Sequence, residues 1–380
     1  MKVYFNESII KEYKRERIPF LYPILGRPKG MLTDNTWFYD KKQTIKWETI
    51  WKEYLIYEKN IEDCDYVVFP IDFKIDYLER LEKVWKEAKK YDKKVVLFYY
   101  NDCEQPIPDR YNNLIVFRTS LTKKNPPNEF AMPWFPEDLG LEYGIYNWDL
   151  KLSIWYVWYA WYHNLLTFIK YLMIRIKLCI FDNFAFYKIL LYSKILPKIA
   201  LFLWKLWMIK DIQIFKNSLL YYITVKWKGL FYRDKLISEV KKTNIKFNYI
   251  QRDKMLDNKT TSKLRKQYID NLRESLFPII VRWDGNYSYR LYEAMSLWKI
   301  PIFIDTDSVL PLSDEIDYKK IFIYVPLENI GKLESLVYNY LDQNGGDLLD
   351  IQLKVREIYA SKLTLTWFFL TIIKNLSESI

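Results

Sequence analysis

Over residues 1–148, short continuous apolar runs alternate with amphipathic stretches, the pattern of strands and helices taken in turn. Lys2–Phe5 reads as a short first strand, Glu48–Lys59 as a helix and Asp65–Pro70 as a buried strand. Tyr77–Tyr91 puts Leu78, Leu81, Val84 and Trp85 on one helical face, and Lys94–Tyr100 and Leu114–Arg118 follow as strands. Strands that are apolar throughout are those covered by helices on both faces, so a parallel sheet is expected.

The pattern breaks at Pro126-Pro127 and between Pro133 and Pro136. A second unit, residues 149–345, opens with a strand at Leu152–Tyr159 and continues with strand Phe247–Ile250 and helix Thr260–Leu276. Strand Pro278–Val281, helix Ser288–Leu297, strands Pro301–Ile304 and Ile321–Val325, and a helix over Glu328–Asp342 complete it. Residues 346–380 are helical and are expected to pack back across the domains. The fold class is α/β: two doubly wound, Rossmann-like domains facing a cleft, with ligands at the C-terminal ends of the strands.

Residues 164–229 depart from this rhythm, being rich in Leu, Ile, Phe, Tyr and Trp and punctuated by Lys170, Arg175, Lys177, Lys188, Lys194, Lys198, Lys205 and Lys210. Leu152–Ile169 carries no formal charge, yet Ser153, His163, Asn164 and Thr167 make it strand and loop rather than a membrane span. Two readings of the later insertion stand: helices lying on an anionic membrane surface with snorkelling lysines, or a segment packed on its own domain.

The net charge of +11 favours anionic partners such as nucleoside diphosphates and acidic lipid. With no long Lys/Arg run and no zinc-finger or RNA-binding fingerprint, nucleic acid is not an expected partner. Cys64, Cys103 and Cys179 form neither a disulfide framework nor a ligand set, and the polar N-terminal residues do not read as a secretory signal. Cytoplasmic residence is expected, peripheral on the inner face of the cell membrane if the insertion meets lipid.

Chemistry concentrates between Val281 and Asp305. A loop leaving a parallel strand and entering a helix offers backbone N–H groups to an anion. Arg282 and Arg290 flank it with guanidinium forks suited to diphosphate. Ser288 could cap the helix or donate to phosphate, and Glu293 could accept from ribose hydroxyls. A capped surface helix with one salt bridge is the alternative. Asp305-Thr306-Asp307 could hold a divalent metal, as in metal-dependent GT-A transferases, but turn-forming aspartates at a strand end serve equally.

The run Arg282-x-x-Gly-Asn-Tyr-Ser-Tyr-Arg-x-x-Glu-Ala294, followed by Ile300-Pro301-x-Phe-Ile-Asp-Thr-Asp307 and Leu310-Pro311, resembles the donor-site block of exostosin-like glycosyltransferases. Phe117–Ser120, Asn128-Glu129, Pro133, Asp138 and Asn248–Asp253 add to the likeness, which omits residues 164–229. It implies a GT-B fold and an inverting sugar transfer from a nucleotide-sugar donor to a glycan or lipid-linked acceptor, with no cofactor and no metal. Arg282, Asn286, Ser288 and Arg290 would hold the pyrophosphate region, with Arg252 beside them, and Glu293 the ribose. The catalytic base is open, with His163, Asp102 and Glu129 as candidates.

Tryptophan stands at 155, 158, 161, 283 and 298, where similar proteins and a phosphate-facing backbone call for glycine. One account is a gene in which UGA specifies glycine but has been read as tryptophan. The other is a set of true tryptophans in a remodelled donor site, which would make the chain a non-catalytic membrane-associated scaffold.

Overall fold

A computed structural model describes residues 1–13, 16–28, 40–50, 52–100, 102, 104, 106–144, 152–159, 229, 232–233, 235–252, 261–283 and 285–378. Among them the first sheet comprises β1 (Lys2–Tyr4), β2 (Ile56–Tyr57), β3 (Tyr66–Val68), β4 (Lys94–Tyr99), β5 (Leu114–Arg118) and β6 (Glu129–Ala131). Their order is β2-β1-β3-β4-β5-β6 and every pairing is parallel. β3 is buried at every position, because helices α1 (Lys41–Ile50) and α2 (Leu78–Lys90) belong to opposite faces. On one face, Leu81, Val84 and Ala88 of α2 pack with Val67, Val95 and Leu97; on the other, Val68, Val96 and Phe98 meet Phe20 and Trp47.

The helix expected at Glu48–Lys59 lies earlier and ends at Ile50. Asp40 starts it: its carboxylate accepts the Gln43 N–H at 2.9 Å and its carbonyl the Thr44 N–H at 2.9 Å. Ile56-Tyr57 then has a better use as an edge strand, pairing with Lys2 and Val3. β6 is a strand that the apolar pattern does not announce.

The second sheet comprises β7 (Ser153–Tyr159), β8 (Lys246–Arg252), β9 (Phe277–Ile280), β10 (Ile302–Asp305) and β11 (Ile323–Pro326), ordered β11-β10-β9-β7-β8, again all parallel. Helices α3 (Thr261–Glu274) and α4 (Arg290–Ser296) cover one face through Tyr268, Leu272, Leu291 and Met295. Helix α5 (Leu333–Asn344) covers the other with Leu333 and Val337, beside Leu236 and Val240.

The C-terminal stretch divides into α6 (Leu348–Ile358), a π turn at Tyr359–Leu363, and α7 (Leu365–Ser377). Val355 of α6 joins the core of the second sheet. Phe368, Phe369, Ile372, Ile373 and Leu376 of α7 instead enter the core of the first, and the Tyr66 hydroxyl donates to the Leu376 carbonyl at 2.8 Å. Each such side chain is worth roughly 1.5–3 kcal/mol of burial. Among the described residues no helix is long and apolar enough to cross a membrane. The insertion at 164–229 lies outside them except for Gly229, as do Cys103 and Cys179; Cys64 is a buried free thiol.

Candidate functional site

The loop between β9 and α4 leaves the C-terminal edge of the second sheet and meets the first domain at Gly285. A Cβ there would lie 2.7 Å from the Asp102 Cα and would also strike the Ser120 hydroxyl, so only glycine allows this approach. Arg282, buried, forms an ion pair with Glu104 across the same junction. Trp134 and Tyr287 stack beside it with ring centroids 5.8 Å apart. Asn286 accepts from the Thr306 hydroxyl at 2.6 Å, while its buried amide nitrogen has no partner among the described residues. A cleft of about 450 Å³ opens here, lined by Glu104, Lys123, Arg282, Asn286, Asp305 and Thr306 among others.

Arg290 is 2 % exposed, and among the described residues no carboxylate pairs with it. Its guanidinium lies against aromatic rings instead, 4.9 Å from the Trp283 centroid and 5.7 Å from that of Tyr156, and among the described residues its Nε has no hydrogen-bond acceptor. Arg233, also buried, rests 4.4 Å from the same Trp283 ring while its Nε donates to the Gly229 carbonyl at 2.9 Å. Two guanidiniums thus converge on one indole. Ser288 is buried immediately before α4, but no side chain caps that helix.

Glu293 is 1 % exposed and faces α3. Its carboxylate accepts from Arg265 Nη1 at 2.6 Å and from the Tyr268 hydroxyl. Burial first, and then the Glu293 charge, hold the Tyr268 pKa well above its ordinary value. The Trp155 ring stands edge-on to Tyr268 at 5.1 Å, fully buried, with no acceptor for its indole N–H among the described residues.

Asp305 closes the cleft rather than presenting a free carboxylate: it pairs with Lys123 of the first domain at 2.7 Å and accepts the Asp307 N–H at 2.9 Å. Burial alone would raise its pKa, but hydrogen bonds from Lys123 and Tyr324 hold it below the usual value. Asp307 turns the chain at φ +70°, and Val309 N–H donates to the Leu121 carbonyl at 3.1 Å. The Asp-Thr-Asp string is therefore a turn and a latch between domains.

Of the candidate bases, Asp102 sits at the domain junction beside Gly285. Glu129 does not face the cleft: it is buried against Arg118 at 2.7 Å and accepts from Asn125, which corrects its reading as a base. His163 lies outside the described residues, and so does the side chain of Arg252 at the end of β8. Sequence reasoning missed Glu104, Arg233 and Arg265. Glu104 lies two residues beyond Asp102, while Arg265 and Tyr268 share the i, i+3 spacing of one helical face.

Behind the loop, α4 ends in a left-handed residue, Trp298, at φ +56°. Lys299 N–H donates to the Ala294 carbonyl at 3.0 Å and Trp298 N–H to that of Met295 at 3.3 Å, the two bonds of a Schellman cap whose left-handed position is ordinarily glycine. Arg356 lies 4.9 Å from the Trp298 ring and grips Asp138 through both terminal nitrogens, at 2.7 and 2.9 Å. At Trp155 and Trp283 the backbone has no such positive φ, so the demand for glycine seen at 298 is not repeated there in the dihedrals. Trp158 and Trp161 fall where no side chain is described.

Residues 227–339 match the model of the Exostosin GT47 domain. A protein of Oryza sativa subsp. japonica named "Probable glucuronosyltransferase" is 33 % identical over 70 residues, covering 18 % of this chain and 17 % of the rice protein. The chain thus spans a small part of the length of the relative it matches. Residues 227–339 thus resemble an exostosin GT47 domain, and the two parallel sheets with flanking helices are consistent with a GT-B-like fold.

Proposed function

We propose, from that resemblance to an exostosin GT47 domain, that the chain transfers a sugar from a nucleoside-diphosphate donor to a glycan acceptor. The observation that carries the reading is Arg290: a buried guanidinium inside the matched region, without a carboxylate partner among the described residues, on the helix that follows the cleft-lining loop of Arg282 and Asn286. A buried cation of this kind is matched by phosphate oxygens. Arg282, Asn286, Ser288 and Arg290, with Arg252, hold the diphosphate; Glu293, through the network it shares with Tyr268, holds the ribose side. As the glycosidic bond to the donor breaks, charge accumulates on the departing diphosphate, where these preorganised cations are most effective.

The acceptor hydroxyl must lose a proton as it attacks. Among the described carboxylates, Glu104 belongs to the first domain, lines the cleft and pairs with Arg282. We assign it the role of base, with the donor diphosphate taking its place on Arg282; His163 is the alternative outside the described residues. Attack from the face opposite the leaving group inverts the anomeric centre. The reading takes transfer to proceed without a divalent metal, which the pairing of Asp305 with Lys123 supports. The basic aromatic insertion brings the enzyme to the cytoplasmic face of a membrane, next to a cell-surface or lipid-linked glycan precursor.

The test is nucleoside-diphosphate release from a panel of UDP- and GDP-sugars, UDP-glucuronic acid included because of the rice relative's name. Release undiminished by EDTA and reduced at least 100-fold in kcat by Glu104→Gln supports the reading. Loss of release with EDTA would favour the GT-A alternative through Asp305 and Asp307. No release from any donor by glycine-bearing chains would favour the scaffold.

A further inference from the structure

Resting on the transferase reading, we infer that the indoles of Trp155 and Trp283 occupy the space of the donor's nucleoside diphosphate, and that the working chain carries glycine at 155, 283 and 298. The ring of Trp283 stands where two guanidiniums converge, 4.4 Å from Arg233 and 4.9 Å from Arg290. For Arg290, which no carboxylate pairs with among the described residues, an aromatic face satisfies the cation weakly, whereas phosphate oxygens supply a full charge and acceptors for the fork. With hydrogen in place of that ring, the two arginines flank an opening instead of a hydrocarbon.

Trp155 does the same at the ribose side. Its ring separates β7 from Tyr268, whose hydroxyl donates to Glu293. The Trp47 indole, by contrast, donates to the Pro19 carbonyl at 3.1 Å. Trp85 also lacks an acceptor, so the orphaned Trp155 N–H alone decides nothing; its place against the Glu293 network does.

Trp298 supplies an independent line, because its evidence lies in the backbone: the left-handed cap at φ +56° requires no ligand argument. The chain has 15 tryptophans and 9 glycines, whereas a glycine share of about 7 % would give roughly 27. One reassigned codon accounts for all of these observations together.

The codons give the first test: UGA at 155, 283 and 298 is expected, and UGG at these positions overturns the inference. Calorimetric titration with UDP, GDP and inorganic pyrophosphate gives the second. The chain bearing Trp155→Gly, Trp283→Gly and Trp298→Gly is expected to bind one nucleoside diphosphate at least 100-fold tighter than the chain as written, and Arg290→Gln added to it should abolish the gain. Trp283→Gly alone, in a half-buried loop, is the variant whose folding is least at risk and should gain pyrophosphate binding. Equal, measurable affinity in the written and glycine chains overturns the inference and leaves the transferase reading intact. No binding by any folded chain overturns the transferase reading, and the assigned site with it.

Discussion

The helix cap at Trp298 allows a measurement that separates backbone from side chain. Trp298→Gly and Trp298→Ala both remove the indole, so both lose its contact with Arg356 at 4.9 Å, worth about 0.5–2 kcal/mol. They differ in a single methyl group. A left-handed residue with a Cβ costs roughly 1–2 kcal/mol relative to glycine, and the greater freedom of glycine in the unfolded chain returns about 0.4–1 kcal/mol of that. Glycine should therefore exceed alanine by about 1 kcal/mol. Urea denaturation reads this as a higher midpoint at unchanged slope. Tryptophan itself should fall close to glycine, its ring contacts offsetting its backbone strain, so the Gly–Ala pair is the informative one. Alanine equal to or above glycine would refute the argument. Gly140→Ala should destabilise every background, since its methyl meets the Ser296 carbonyl rather than the ring alone.

Three further outcomes follow from the same packing. Lys299 is buried, donates to the Arg273 carbonyl at 2.6 Å, and has its pKa pushed down to about 7 by burial and by Arg273. Below pH 7 the cost of its buried charge is fully present. Between about pH 7 and the unfolded value the unfolded chain binds more protons, so stability should climb by up to about 1.4 kcal/mol per pH unit; a pH series of melts on Lys299→Met should lack that rise. Gly285→Ala should prise the two domains apart at Asp102, seen as a larger radius of gyration in solution scattering with both sheets intact by circular dichroism. Phe369→Ala, fully buried against Phe20, Trp47 and Phe98, should cost about 3–5 kcal/mol in equilibrium unfolding.

Strands buried on both faces, and so apolar throughout, are legible: β4 and β5 lie within the runs that announce them, whereas the short edge strands β2 and β6 are not announced. Helix α1 was misplaced because its start is set by a single capping aspartate, Asp40, which looks like any other loop residue. The loop from Arg282 to Arg290 could be read as an anion site from its residue types, but not the company those residues keep. Glu293 meets Arg265 from another helix, Arg282 meets Glu104 from another domain, and Arg290 meets aromatic rings. Such meetings are set by topology and leave no periodic trace in the chain. Asp305-Thr306-Asp307 shows the converse. Its string invites a metal, and only the position of Lys123 shows that one carboxylate is already engaged.

The placement of α7 has a consequence for how the protein is made. The first sheet is complete in sequence at β6, yet Phe368, Phe369 and Ile372 fill one of its two faces. That face cannot close on the ribosome until the whole second sheet has been synthesised, which at roughly 5–20 residues per second is a wait of tens of seconds. During that interval the nascent chain exposes Phe20, Trp47 and Phe98 as an open apolar surface, a natural substrate for a chaperone. A ribosome stalled between Asn344 and Leu365 would leave both sheets written out and the first domain unable to finish folding.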